Sequence, residues 1–187
     1  MWPSISVVIA TIVLSAVAVL AYAETQVESF FTGTQPNLVG AGWADCETPI
    51  TWSVDTSRLT PDQASDAIKA LQRDFAAWGS KSGLTFTFAG EIPVAYDDSD
   101  FSVTSQQHPS SRHIFISFLP NADSSLLDER TVGFAMPSKV VLDGKEIVEG
   151  SVVLSAEYVS RIARRKESAL YLHEIGHALG LGHGTLE

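Results

Sequence analysis

The sequence predicts an α+β domain with helices packed on one sheet, on three observations. Short alternating apolar segments recur between Ile50 and Ser155, a well-capped amphipathic helix interrupts them early, and a second helix follows them near the end. The 187 residues, 45% of them hydrophobic, suffice for one domain with a core and are too few for two of ordinary size.

Residues 1–23 carry no charged side chain and hold an apolar run from Ile5 to Leu20. The triplet Ala21-Tyr22-Ala23 then places small residues where a signal peptidase needs them, so a secreted, extracellular protein cleaved before Glu24 is expected. No basic residue precedes the run, which is slightly long for such a signal. The alternative is an uncleaved anchor facing outside, and only then is a membrane a partner. Residues 24–42 are polar and contain Gly and Pro, which reads as a linker or short pro-segment before a domain spanning 43–187. Twenty-two acidic against 12 basic residues leave a formal charge of −10, all of it after Ala23. Phosphate binding needs clustered Lys and Arg, so a nucleic-acid partner is excluded. The single cysteine, Cys46, cannot form an internal disulfide.

Ile50, Trp52 and Val54 alternate with Thr51 and Ser53 as a first strand. Thr60-Pro61-Asp62-Gln63 combines a capping Thr, a Pro in the first turn and a Gln three residues after the cap, which marks a helix start. Ala64, Ile68, Leu71, Phe75 and Trp78 recur at helical spacing, and Gly79 is expected to end that helix in a left-handed conformation. Leu84, Phe86 and Phe88 form a second strand, and Ile114, Ile116 and Phe118 a third. The polar loop between them holds Asp97, Asp98 and Asp100, whose oxygens could suit Ca²⁺, although a lone acidic cluster is more often a solvated loop. Val132 to Met136, closed by Pro137, reads as a short edge strand. Val140 to Leu142 and Ile147-Val148 flank Asp143-Gly144 as a hairpin, and Ser151 to Leu154 forms one more strand.

The chemistry lies in His173-Glu174-Ile175-Gly176-His177-Ala178-Leu179-Gly180-Leu181-Gly182-His183. Four residues along a helix is about 40° round and about 6 Å up, so His173 and His177 share a face and can bind one ion. Glu174 sits beside that ion without ligating it, where its carboxylate can take a proton from water. His183 lies about 240° further round if the helix continues, so the helix must break first. Gly180 is the residue that can break it. Three imidazoles leave the fourth position of a tetrahedral Zn²⁺ open, the arrangement of a catalytic site; copper, nickel or cobalt would bind the same nitrogens. With 5 His and 13 Gly in the chain, chance placement of both Gly180 and His183 has odds of roughly 0.002. Leu172, Ile175 and Leu179 form the opposite, core-facing side. His108 and His113 lack a matching spacing and read as loop and strand-start residues, the alternative being a second metal site.

This run resembles the metzincin signature His-Glu-x-x-His-x-x-Gly-x-x-His and looks most like the matrixin branch, the matrix metalloproteinases and their bacterial relatives. The likeness extends more weakly from Trp43 onward, through Leu84-Thr85-Phe86, Gly133-Phe134-Ala135-Met136-Pro137 and Gly150-Ser151-Val152-Val153-Leu154. It implies a twisted, mostly parallel five-stranded sheet with two main helices and an antiparallel edge strand that binds an extended protein or peptide substrate. By position that strand comprises Thr131, Val132, Gly133, Phe134, Ala135 and Met136. It further implies a zinc-dependent endopeptidase with His173, His177 and His183 on the metal and Glu174 as general base.

Three features depart from the family. The only methionines are Met1 and Met136, so the expected Met-turn does not follow His183, and the chain reads as truncated before it. Asp45-Cys46-Glu47 does not match the cysteine that caps zinc in the latent enzymes, and the family's structural zinc and calcium loops have no counterpart. The rival expectations are a secreted zinc-binding interaction module without turnover and an inactive protease fragment.

Overall fold

The computed structural model describes residues 41–183 apart from 45, 108–111, 142–144 and 162–163, and no side chain from 164 to 167. The expected export signal, the linker up to residue 40, His108 and the Asp143-Gly144 turn lie outside the described residues.

Strand β1 (Ile50–Asp55) leads through helix α1 (Pro61–Ser82) to β2 (Phe86–Glu91). A hairpin of β3 (Ala95–Asp97) and β4 (Ser102–Thr104) precedes β5 (His113–Leu119). Then come β6 (Gly133–Val141), β7 (Glu146–Ser155), a one-turn helix α2 (Ala156–Val159) and α3 (Arg164–Ala178). The five-stranded sheet has the order β2-β1-β5-β7-β6. Its first four strands pair in parallel, and β6 runs antiparallel along β7 as the edge. The class is therefore α+β, with a mostly parallel sheet as the resemblance implied.

Helix α1 starts where the Thr60 capping box closes in both directions, with Gln63 N–H donating to Thr60 Oγ1 and Thr60 N–H to Gln63 Oε1. It runs one turn past Gly79 and ends at Gly83, whose φ of 75° is the left-handed cap. Gly79 is needed for another reason, since a Cβ there would stand 3.0 Å from the Leu84 carbonyl as the chain returns. Leu84 itself precedes β2.

The helices bury one face of the sheet. Ile50, Trp52, Ile114, Ile116, Val152 and Leu154 meet Leu71, Phe75 and Trp78 of α1 and Leu172 and Ile175 of α3 in one core, where Trp52 stacks on Phe75 with centroids 4.6 Å apart. Burying each such side chain stabilises the fold by about 1.5–3 kcal/mol. The β3–β4 hairpin covers the other face at Val103, Phe115 and Val153. That hairpin replaces part of the expected polar loop, because Val103 and Ile92 need a covered apolar surface.

Two pairs of expected short strands fuse. Ser151 to Leu154 joins Ile147-Val148 in β7, and β6 runs straight through Pro137 to Val141. Ser155 N–H donates to the Val132 carbonyl, so residues 133, 135 and 137 turn their backbone polar groups away from β7. Pro137 therefore gives up no bond by lacking an N–H. Thr131 and Val132 lie before β6, with Thr131 held by the Asp128 carboxylate and its carbonyl accepting from Asp128 N–H. No helix among the described residues is long and apolar enough to cross a membrane.

Candidate metal centre

Helix α3 carries His173, Glu174 and His177. Leu172, Ile175 and Ala178 on its other side are fully buried, and Ala178 packs where a Cβ on Gly150 of β7 would stand 3.2 Å from its own. This packing fixes which face of α3 meets the open side of the sheet edge.

The helix ends in a Schellman turn. Gly180 N–H donates to the His177 carbonyl at 2.9 Å and Leu181 N–H to the Gly176 carbonyl at 3.0 Å, with Gly180 at φ 96°. The reversal brings His183 back over the helix. Its Nε2 stands 3.1 Å from His173 Nε2 and 3.0 Å from His177 Nε2, and those two are 3.0 Å apart. No other cluster of this kind occurs among the described residues.

The donor set suits a tetrahedral ion, for which Zn–N bonds of 2.0–2.1 Å require nitrogens about 3.3 Å apart. His177 Nδ1 lies 2.7 Å from the Leu181 carbonyl, an atom that only accepts, so Nδ1 carries the proton and Nε2 keeps its lone pair. The same turn that delivers His183 thus orients His177. Burial pushes the His173 imidazole down to about 4, with His177 and His183 adding like-charge cost, and burial also lowers His177. Both rings are consequently neutral, the form that binds metal, at physiological pH.

Glu174 is 4% exposed, and its Oε2 has no hydrogen-bond partner. Burial pushes its carboxyl up to about 8. Its side chain passes so close to β6 that a Cβ on Gly133 would meet Oε1 at 3.1 Å. Trio, Glu174 and the edge residues Gly133–Pro137 line one cleft of about 690 Å³. Its remaining wall includes Ala41, Val140 and Leu181, and Thr131 stands at its rim. Of the expected edge-strand residues, Thr131 and Gly133 to Met136 line the cleft and Val132 does not.

Ala41, Pro137, Val140 and Leu181 escaped the sequence reading. Pro137 and Val140 reach the cleft only because β6 is continuous, and Leu181 because the turn folds back. Ala41 is placed by tertiary pairing. Gly42 N–H donates to the Lys145 carbonyl and its carbonyl accepts from Ile147 N–H, so these two residues belong to the fold and not to a linker.

The other polar candidates stay apart from the cleft. Asp97 accepts from Ser99 N–H and caps a local turn, whereas Asp98 accepts from Tyr96 O–H and from the distant Ser125 N–H and so ties the hairpin to that later segment. Hydrogen bonds hold them below the usual carboxylate range. His113 begins β5 with its Nδ1 2.7 Å from Thr51 Oγ1. Cys46 is a free, exposed thiol.

Metal-free protein should show opposing pH limbs. Glu174, raised from 4.5 to about 8, costs nothing below pH 4.5 and costs more as pH rises toward 8, reaching about 3 kcal/mol at pH 7. His173, lowered from 6.5 to about 4, costs stability as pH falls from 6.5 toward 4. Urea unfolding of metal-free Glu174→Gln is expected to keep the acid limb and lose the alkaline one. Parallel curves for the two proteins between pH 5 and 8 would refute the burial argument.

No protein-family model matches the chain, and no curated protein matches it.

Proposed function

We propose that the chain is a secreted zinc-dependent endopeptidase of the metzincin kind, similar to matrixins, that hydrolyses peptide bonds in protein substrates. The observation that carries the reading is the convergence of three imidazoles within 3.1 Å beside a buried carboxyl whose Oε2 has no partner. A structural metal site closes all four positions with protein ligands, whereas this trio offers three and a cleft.

His173, His177 and His183 would hold the ion. A bound Zn²⁺ supplies a Lewis acid that polarises the scissile carbonyl, lowers the pKa of water to about 7 and, as a near positive charge, draws the Glu174 carboxyl back toward its ionised form. The free edge of β6 offers the backbone groups of Gly133 and Ala135 to an extended peptide, which pairs as an added strand. Glu174 accepts the proton of the attacking water as oxygen bonds to the carbonyl carbon. It then passes that proton to the amide nitrogen as the C–N bond breaks, so the amine leaves neutral. The apolar wall of Ala41, Val140 and Leu181 keeps bulk water from competing with the peptide.

Cleavage of an unfolded protein substrate tests the reading. Hydrolysis should stop on adding a chelator and return with Zn²⁺. Equal rates before and after metal removal would defeat it.

A further inference from the structure

Two polar links, one helical turn apart, tie α1 to the helix that carries the trio. Trp78 donates its indole N–H to the Leu172 carbonyl at 3.0 Å, and Asp74 accepts from the Ser168 hydroxyl at 2.8 Å. Asp74 and Trp78 lie four apart on α1, Ser168 and Leu172 four apart on α3, so both links demand the same register. Asp74 and Trp78 are fully buried and Ser168 is 2% exposed. Arg73 Nε, 3.0 Å from Asp74 Oδ1, supplies the carboxylate with a countercharge.

Apolar contacts between helices resist separation but tolerate small slides, whereas a directional hydrogen bond weakens steeply with misalignment. Leu172 directly precedes His173. Its carbonyl also accepts the N–H of Gly176 within the helix. The Gly176 carbonyl accepts from Leu181, and the Leu181 carbonyl from His177 Nδ1. One hydrogen-bonded column thus runs from the Trp78 indole to an imidazole of the trio.

We propose that Trp78 and Asp74 are positioning residues for the three-histidine site, setting through Leu172 and Ser168 the height and rotation at which α3 presents His173 and His177. The inference rests on the trio being a metal site. Nitrogens only 3.0–3.1 Å apart leave little room for error, since displacement by about 1 Å is enough to impair a site of this kind.

The test compares Trp78→Phe and Ser168→Ala with Phe75→Leu, a control in α1 whose ring stacks on Trp52, meets Phe86 at a tilt and makes neither link. Zn²⁺ affinity is read by competition with a chromophoric chelator, geometry by the visible spectrum of the Co²⁺ form, and stability by melting temperature. Trp78→Phe and Ser168→Ala are expected to weaken Zn²⁺ binding about tenfold and to shift the Co²⁺ bands. Phe75→Leu should melt earlier with affinity and spectrum unchanged. Ser168→Ala removes a single hydroxyl and decides the matter should Trp78→Phe fail to fold. Wild-type affinity and spectrum in Ser168→Ala, or affinity that merely tracks melting temperature across all the variants, would overturn the proposal while leaving the metal site standing. A wild-type chain that binds neither ion would overturn both.

Discussion

Glu174→Gln should cut peptide hydrolysis by about 10²–10⁴-fold while the protein still takes up zinc, because Gln keeps the size of the side chain and removes its ability to accept and return a proton. Among the described residues, Glu174 is the one titratable side chain besides the trio that lines the cleft. It is buried on α3 beside His173, with Oε2 unpartnered. A buried carboxyl without a partner destabilises the fold, and such a group persists where it serves the chemistry. Rates measured at equal zinc occupancy make the comparison. Activity within a fewfold of the unmodified protein would remove Glu174 from the mechanism.

Gly180→Ala is expected to lower stability by about 3 kcal/mol or more and to weaken metal binding at the same time. Two constraints meet at this residue. Its φ of 96° is one that a side chain rarely adopts, and a Cβ would stand 2.8 Å from the Ala41 carbonyl and 2.9 Å from Ile147 Cδ1. The first obstacle is backbone held by the Gly42 pairing, so it cannot swing aside as a flexible side chain would. Relief requires the turn to move, and the turn holds both His183 and the Leu181 carbonyl that orients His177. Unfolding and zinc titration together check this. An alanine variant with native stability and undiminished affinity would show that the turn does not govern the trio.

The site was legible in the sequence because local rules generate it. The period of a helix puts His173 and His177 on one face, the steric freedom of glycine makes Gly180 the break, and the break returns His183. The α1 start was legible for the same reason, since a capping box needs only residues three apart. What escaped depends on partners distant in the chain. Either Gly79 or Gly83 could have ended α1, and the choice falls to Gly83 because Leu84 and Phe86 return against Gly79. Pro137 looked like a strand terminator, yet its parity against β7 turns the missing N–H outward. Gly150 gave no signal of its packing role, which is the close approach that seats Ala178. Ala41 carries no local signal at all and joins the cleft through the pairing of Gly42 with residues on either side of Glu146.

The account stands on three histidines sharing one ion, and zinc binding by the purified chain and by His183→Ala measures that directly. The unmodified protein should bind one zinc per chain, with X-ray absorption showing three imidazole nitrogens at 2.0–2.1 Å. His183→Ala should bind far more weakly and lose one of those nitrogens. Equal affinity and an unchanged nitrogen count in the variant would contradict the convergence on which the proposed chemistry depends.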